Sequence, residues 1–432
     1  MEKTPRMIPS IDNLTDPWDV GNYLLLQFQQ GEGFYINGRF YLKEDGLYRV
    51  IGVRELALVI MKCLKNKANQ SAINLITERL SIELESKIEA DPKVIAFTNG
   101  VYDLDIEDFV EGLQGRSVYQ YMPFKYDASM PPVRWLKFLD DVFDGDEDAE
   151  QKKKCLQEFF GYCFLKDVNY HKALVLYGDG ANGKSVILDV LGDMMPVVSR
   201  LEWSELSDQR NLGKLSDSWL NLCTEITYRD TNSTTGFKKA VAGEMMTANE
   251  KYQKPYDFRC FAKFVFATNG LPMTDDVSNG VFRRLIIINM NNSFMGREDW
   301  ALTDKLRKEI PYIFSWAMQG ARRLIDSRSF TYVPSNAAEL KEYRRAINSL
   351  QSFYDEDLCM REGDEIPFND FYAKYQEFCG QTGNRPFARN KIRALIRQLG
   401  LPLDVVSSMG NNRGIKAMQD INVVDGNENL PF

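Results

Sequence analysis

Apolar and polar positions change period several times along the chain. Between residues 172 and 290, four continuous apolar runs stand out: Lys172-Ala-Leu-Val-Leu-Tyr177, Trp219-Leu-Asn-Leu-Cys-Thr224, Phe264-Val-Phe-Ala-Thr268 and Arg284-Leu-Ile-Ile-Ile-Asn289. Unbroken runs of this length fit strands buried on both faces. Helix-like stretches separate them, which predicts an α/β core with a parallel sheet. Residues 1–40 mix aromatic and polar side chains with no clear period, and within and beyond them 34–53 predicts short strands around a turn at Glu44-Asp45-Gly46. Residues 54–90 carry apolar positions at helical spacing. Val94-Ile-Ala-Phe97 and Gly100-Val-Tyr-Asp-Leu104 predict two strands around an Asn99-Gly100 turn. A further helical segment is expected at roughly 134–166, after the break at Met130-Pro-Pro-Val133.

Beyond the core, residues 300–350 read as helices, followed by helices near 367–379 and 386–399. The polar turn Met409-Gly-Asn-Asn-Arg413-Gly414 lies between two short apolar runs and predicts a hairpin. Two helices and a hairpin imply a winged-helix-like module. The expected division is an α+β N-terminal domain over 1–150, an α/β domain with the parallel sheet over 151–345 and the winged-helix-like module over 346–432.

The length of 432 residues leaves room for about three domains. No apolar run reaches the ~18 residues of a membrane span, and the N-terminus lacks a signal-peptide pattern. The expectation is a cytosolic protein with no membrane partner. The seven cysteines are scattered and His171 is the sole histidine, which argues against a Cys/His zinc site and for free thiols. A net charge of −8 excludes a uniformly basic surface but not a local basic groove for nucleic acid.

The chemistry begins at Gly178-Asp179-Gly180-Ala181-Asn182-Gly183-Lys184-Ser185, a full match to GxxxxGK[ST]. It follows one predicted strand and precedes the helical stretch that opens at Val186, which is the context such a loop requires. Glycines let backbone N–H groups turn inward toward anionic oxygens, and the helix start adds its dipole. Lys184 would meet the β- and γ-phosphates of ATP, and the Ser185 hydroxyl would ligate Mg²⁺. The plain alternative is a Gly-rich turn between a strand and a helix. Hydrolysis also needs an acid, and Glu225 closes the second apolar run, at the strand edge where α/β ligands bind; Asp230 is a weaker candidate. Asn269 ends the third run, either as a water- or phosphate-sensing amide or as a turn-forming Asn-Gly. Arg283 and Arg284, just before the fourth run, are either surface charge or a clamp on transition-state charge.

In this order the motifs resemble the superfamily-three helicases of the phage, plasmid and poxvirus primase–helicase type. The resemblance rests on 176–185, Leu222-Cys-Thr-Glu225, Phe237-Lys-Lys-Ala-Val-Ala-Gly-Glu244 with Lys254-Pro255, Lys263-Phe-Val-Phe-Ala-Thr-Asn269 and Phe282-Arg-Arg284. The stretches 95–104 and 309–320 match the flanks of that family's ATPase. It implies an AAA+-like core, Walker A at Lys184 and Ser185, a Walker B acid at Glu225 that also serves the metal, a sensor at Asn269, and an arginine finger at Arg283 or Arg284 acting on a neighbouring subunit. It also implies a homo-hexameric ring that translocates 3′-to-5′ on single-stranded DNA. One departure is that Thr224 stands where the family has a second acid.

The family places a hairpin in the ring's pore, which here would be 249–263. Lys251 and Lys254 are the first DNA-contact candidates, with Lys238 and Lys239 behind them, and the interleaved aromatics would stack on bases. An ordinary exposed hairpin with core-facing aromatics is the alternative. The stretch 385–397 carries five basic residues and no acid, so Arg389 and Arg393 become candidates on a DNA-binding helix. Asp103-Leu-Asp105 is set aside as a metal pair, and His171 as a surface residue. The expected function is an ATP- and Mg²⁺-dependent replicative helicase of a phage, virus or plasmid-like element. It would act on single-stranded and forked DNA, with a primase or polymerase in trans. An ATPase that loads or remodels origin proteins, and an origin binder whose nucleotide only controls assembly, are the competing classes.

Overall fold

The computed structural model describes residues 16–44, 47–86, 90–224, 234–249, 255–271, 279–384, 386–407, 413–419 and 421–422. At its centre lie five parallel strands in the spatial order Leu285–Asn289, Ala173–Tyr177, Lys263–Thr268, Leu220–Cys223 and Val198–Ser199. Four are the continuous apolar runs, and nearly every residue in them is buried, as expected for a sheet covered on both faces. The fifth, Val198–Ser199, spans two residues and leaves no pattern to read.

The registers align the four long strands, so Tyr177, Cys223, Thr268 and Asn289 all end near one edge of the sheet. One face packs on the helices Val133–Val142, Ala149–Cys163, Lys184–Asp193 and Ile310–Ser327, which share a single apolar core. Ala149–Cys163 and Ile310–Ser327 approach closely, because Gly320 lies where a Cβ would sit 2.3 Å from the Gln157 carbonyl. The opposite face is covered by Leu201, Trp203, Phe237 and the pair Met246 and Phe258. The segment expected as one helix over 134–166 is two, because the chain turns through Gly145 at φ +78°.

The N-terminal part has two elements that its sequence reading lacks, a helix before residue 34 and the strand Asp108–Glu111. Residues Pro17–Gln30 form a helix capped by Asp16, whose carboxylate accepts from the Trp18 amide at 2.7 Å. Val20, Leu24 and Phe28 recur every four residues along its buried side. This helix packs on Val53–Leu64 and Gln70–Glu83 beside the antiparallel strands Phe34–Ile36, Arg39–Glu44 and Leu47–Ile51. A second small sheet, Val94–Phe97, Gly100–Asp103 and Asp108–Glu111, bridges to the core. The hairpin around Gly38 is fastened to the central α/β core through a buried carboxylate. Asp217 accepts from Tyr41 Oη at 2.5 Å and from Asn37 Nδ2 at 3.0 Å, and is fully buried. Burial pushes its carboxyl up from the usual range.

The C-terminal part has its own core. It runs helix Ser349–Glu356, strand Glu365–Pro367, helix Phe368–Thr382, helix Ile392–Leu399 and then strands Leu403–Ser407 and Arg413–Ala417. The last strand lies between the other two. Among the described residues no helix is long and apolar enough to cross a membrane.

Candidate nucleotide site and nucleic-acid surfaces

The loop 178–183 leaves the Ala173–Tyr177 strand between the two strands that end at Thr268 and Asn289. Its shape depends on glycine at two points. Gly178 has φ +153°, and a Cβ there would lie 2.4 Å from the Met290 carbonyl. Gly183 has φ +90°, and a Cβ would lie 3.1 Å from the Phe138 ring. Neighbouring segments pin the loop: Gly178 N–H donates to Thr268 O at 3.3 Å, Phe294 N–H to Ala181 O at 2.7 Å, and Asn182 Nδ2 to Met290 O at 3.1 Å.

Lys184 opens the helix Lys184–Asp193 and is buried. Its ammonium donates to Gly178 O at 2.5 Å, Asp179 O at 2.9 Å and Asn182 Oδ1 at 2.9 Å, so it is held inside the curl of the loop. Burial lowers its pKa, and the Asp179 charge works against that shift. Ser185 and Val186 follow on the first helical turn and line the same cavity as Gly180, Ala181 and Asn182. The cavity is about 1080 Å³, and Thr224, Thr268 and Asn269 also face it. Asn269 is exposed there, while the Thr268 hydroxyl closes the turn by accepting from Gly270 N–H at 3.1 Å. Glu225 and Asp230 lie outside the described residues.

Two walls of this cavity carried no chemical signal in the sequence. One is the helix Val133–Val142, which contributes Arg134, Lys137, Phe138 and Asp141. Its buried stripe of Trp135, Phe138, Leu139 and Val142 was legible as helical spacing, but not that Phe138 would back Gly183. The Glu309 carboxylate caps this helix, accepting from Arg134 N–H at 3.0 Å and Trp135 N–H at 3.1 Å. The other wall is the segment from Phe294 to Lys305. It is tied down at Phe294 and followed by helix Leu302–Arg307, whose Arg307 bonds Asp193 at 2.7 Å.

Arg283 and Arg284 stand at the other edge of the sheet. From Arg283 to the strand end at Asn289 the extended chain covers about 20 Å, so within one chain they do not share the cavity. They also differ from each other. Arg283 is exposed, whereas Arg284 is buried, donates to the Gly280 carbonyl, and has no hydrogen-bond partner for Nε among the described residues. Burial and the Arg283 charge lower the Arg284 pKa, against the pull of Glu244.

The expected hairpin exists as Met245–Ala248 paired antiparallel with Tyr256–Arg259. Lys251 and Lys254 lie outside the described residues, as does Tyr252. Phe258 on its second strand is buried in the core rather than offered to bases, and Tyr256 is half-buried against the same core. Lys238 and Lys239 sit on helix Thr235–Val241, Lys239 exposed and Lys238 half-buried. In the C-terminal part, Arg393 and Arg397 are exposed one turn apart on helix Ile392–Leu399. Arg389 is engaged internally, donating to Asn369 and lying 5.1 Å from the centre of the Phe368 ring. Asp103 receives Arg116, and Asp105 pairs with Lys93 at 2.7 Å. His171 is exposed at φ +50°.

Comparison with known proteins adds a context to this geometry. A family model described as D5 N terminal like matches residues 50–144, and a family of unknown function, DUF5906, matches residues 176–284. Putative helicase 184R of Invertebrate iridescent virus 6 is 22% identical over 372 residues, which is 73% of this chain and 37% of that protein. Primase D5 of Fowlpox virus is 21% identical over 239 residues, 51% of this chain and 30% of that protein. A putative helicase of Acanthamoeba polyphaga mimivirus is 25% identical over 234 residues, 52% of this chain and 24% of that protein. The chain thus spans well under half the length of these relatives. The apo NrS-1 C-terminal region is similar with a TM-score of 0.48 and 14% identity, over 93% of this chain and all of that one. The D5-type match and the low-identity helicase and primase relatives support kinship with viral primase–helicase proteins.

Proposed function

We propose that this chain is the ATP-driven motor of a replicative DNA helicase from a virus, phage or plasmid-like element. One observation carries the reading. The glycine-dependent loop 178–183 opens at the C-terminal edge of a parallel sheet, with a buried lysine inside its curl and a cavity of about 1080 Å³ beyond it. That combination fits a nucleoside triphosphate. The loop's backbone and the start of helix Lys184–Asp193 would receive its phosphates, and Lys184 would exchange its carbonyl partners for phosphate oxygens.

Magnesium fits the donor set at this edge, which offers hard oxygen ligands in the exposed Ser185 hydroxyl and the Thr224 side chain at the end of its strand. Ser185 would hold the ion, and Glu225 would complete the site from the position after Thr224. When bound, the ion supplies charge neutralisation between the β- and γ-phosphates. Asn269, exposed into the cavity, would orient the attacking water.

The finger assignment narrows to Arg283. It is exposed about 20 Å from its own loop, and so is available to a neighbour's cavity in a ring, while Arg284 is committed to the interior. The six-subunit, AAA+-like, superfamily-three organisation belongs to the same proposal. So do the winged-helix reading of the C-terminal part, with Arg393 and Arg397 toward DNA, and the pore role of residues 249–263.

ATP turnover and strand displacement on a forked duplex, each measured with and without single-stranded DNA, test the reading. The expected outcome is DNA-stimulated hydrolysis coupled to displacement. Hydrolysis without displacement would instead support a loading or remodelling ATPase. Binding without turnover would support a nucleotide-controlled origin binder.

A further inference from the structure

The cavity is larger than a triphosphate group needs, and its outer walls carry the aromatic and apolar side chains Phe138, Phe294, Trp300 and Leu302 alongside charged ones. Ligand pockets for whole small molecules run to about 300–1,000 Å³, so a cavity of about 1080 Å³ has space for a complete nucleotide. The chain that follows Asn289 crosses over the loop at Phe294, whose N–H donates to Ala181 O at 2.7 Å. It then turns through Gly296 at φ +77° and brings Trp300 to the cavity wall.

Trp300 is 91% exposed, the most exposed of the large apolar side chains among the described residues. Trp135, Trp203, Trp219 and Trp316 are all buried. An indole left in water beside a cavity is an aromatic face without a protein partner. Leu302 lines the same wall, and the helix bearing Phe138 and Asp141 lines another. Helix Leu302–Arg307 fixes the wall, because Leu306 is fully buried in the main core and Arg307 is bonded to Asp193.

We infer that Trp300 is the stacking platform for the nucleobase, so that the segment 294–302 recognises the nucleoside end of the triphosphate whose phosphates the 178–183 loop receives. This rests on the nucleotide-site reading above and adds to it a residue and a division of labour. Base–aromatic stacking tolerates any base, because each has a π-face. The contact therefore adds affinity for nucleosides as a class.

The test is calorimetric titration of the full chain with ATP and, separately, with inorganic triphosphate. Wild type, Trp300→Ala and Trp300→Phe are compared. Wild type is expected to bind ATP more tightly than inorganic triphosphate. Trp300→Ala should weaken ATP roughly tenfold and leave inorganic triphosphate unchanged, while Trp300→Phe restores most of the ATP affinity. Unchanged ATP affinity in Trp300→Ala overturns the inference. So does an equal loss for both ligands, which would mark a disturbed wall rather than a lost stack. If wild type binds neither ligand, the nucleotide-site reading itself falls, and that result is distinct from either outcome for Trp300.

Discussion

The two edges of the central sheet both hold a buried lysine on carbonyl oxygens. At one edge Lys184 donates to Gly178 O and Asp179 O. At the other, Lys263 donates to Leu165 O and Phe261 O and lies 4.8 Å from the centre of the Tyr162 ring. Neither ammonium has a carboxylate partner among the described ion pairs. A buried lysine held by carbonyls therefore does not by itself mark a site. What separates the edges is the surrounding backbone. Lys184 sits in a loop whose two positive-φ glycines leave room for a ligand, with a large cavity in front. Lys263 is fully buried, with the buried thiols of Cys163 and Cys260 among its neighbours.

Substitution of Lys184 should produce the largest contrast. Lys184→Ala is expected to reduce ATP turnover on the order of 10³-fold or more while the thermal midpoint stays near wild type. Full unwinding by this variant would remove the distinction between the edges. Arg283 against Arg284 comes next. Arg283→Ala subunits should lower turnover by roughly 10³-fold and poison mixed assemblies out of proportion to their dose, with stability within about 0.5 kcal/mol of wild type. Arg284→Ala should cost about 1–3 kcal/mol of stability through the lost Gly280 contact, with activity falling only in proportion to dose. Denaturation and subunit-mixing curves for the two variants would exchange places if the assignment were reversed.

The smallest effect is at Lys263 itself. Burial pushes its ammonium down from 10.5 to about 8. Between pH 8 and 10.5 the unfolded chain holds a proton that the folded chain has shed, so this group's contribution to stability rises with pH through that window. Comparing pH 7.5 with 9.5, wild type should gain on the order of 2 kcal/mol from this group, and Lys263→Met should lack that gain. Equal pH dependence of the two denaturation midpoints would show that Lys263 is not the titrating group.

Much of the fold was legible because its signals are local. Four strands of the parallel sheet announced themselves as apolar runs, and the C-terminal helix pair with its strands follows from turn chemistry and spacing, whereas the hairpin expected over 249–263 pairs Met245–Ala248 with Tyr256–Arg259. Helix Pro17–Gln30 was missed: the cap Asp16, a proline at its first turn and the spacing of Val20, Leu24 and Phe28 are its signals, but the aromatic and polar mixture hid that period. The cavity walls were not legible. Phe138 reads as a core residue in any helix, and only the packing shows that it backs Gly183. Likewise no local pattern distinguishes Phe258, which the core absorbs, from Trp300, which it leaves out. The difference between Arg283 and Arg284 is of the same kind, since adjacent identical residues are separated only by the direction each side chain takes.

The carboxylate of Asp217 has a consequence for how such a chain can be inherited. It is fully buried, and its two described side-chain partners, Tyr41 and Asn37, come from a hairpin some 180 residues earlier. Exchange of the N-terminal segment for one that lacks these two donors would leave a buried acid without its hydrogen bonds, a defect that typically costs about 1–3 kcal/mol. The hairpin and the turn before strand Leu220–Cys223 are therefore bound to travel together. A recombinant that keeps one without the other begins with a deficit that is a sizeable fraction of the stability margin of many domains.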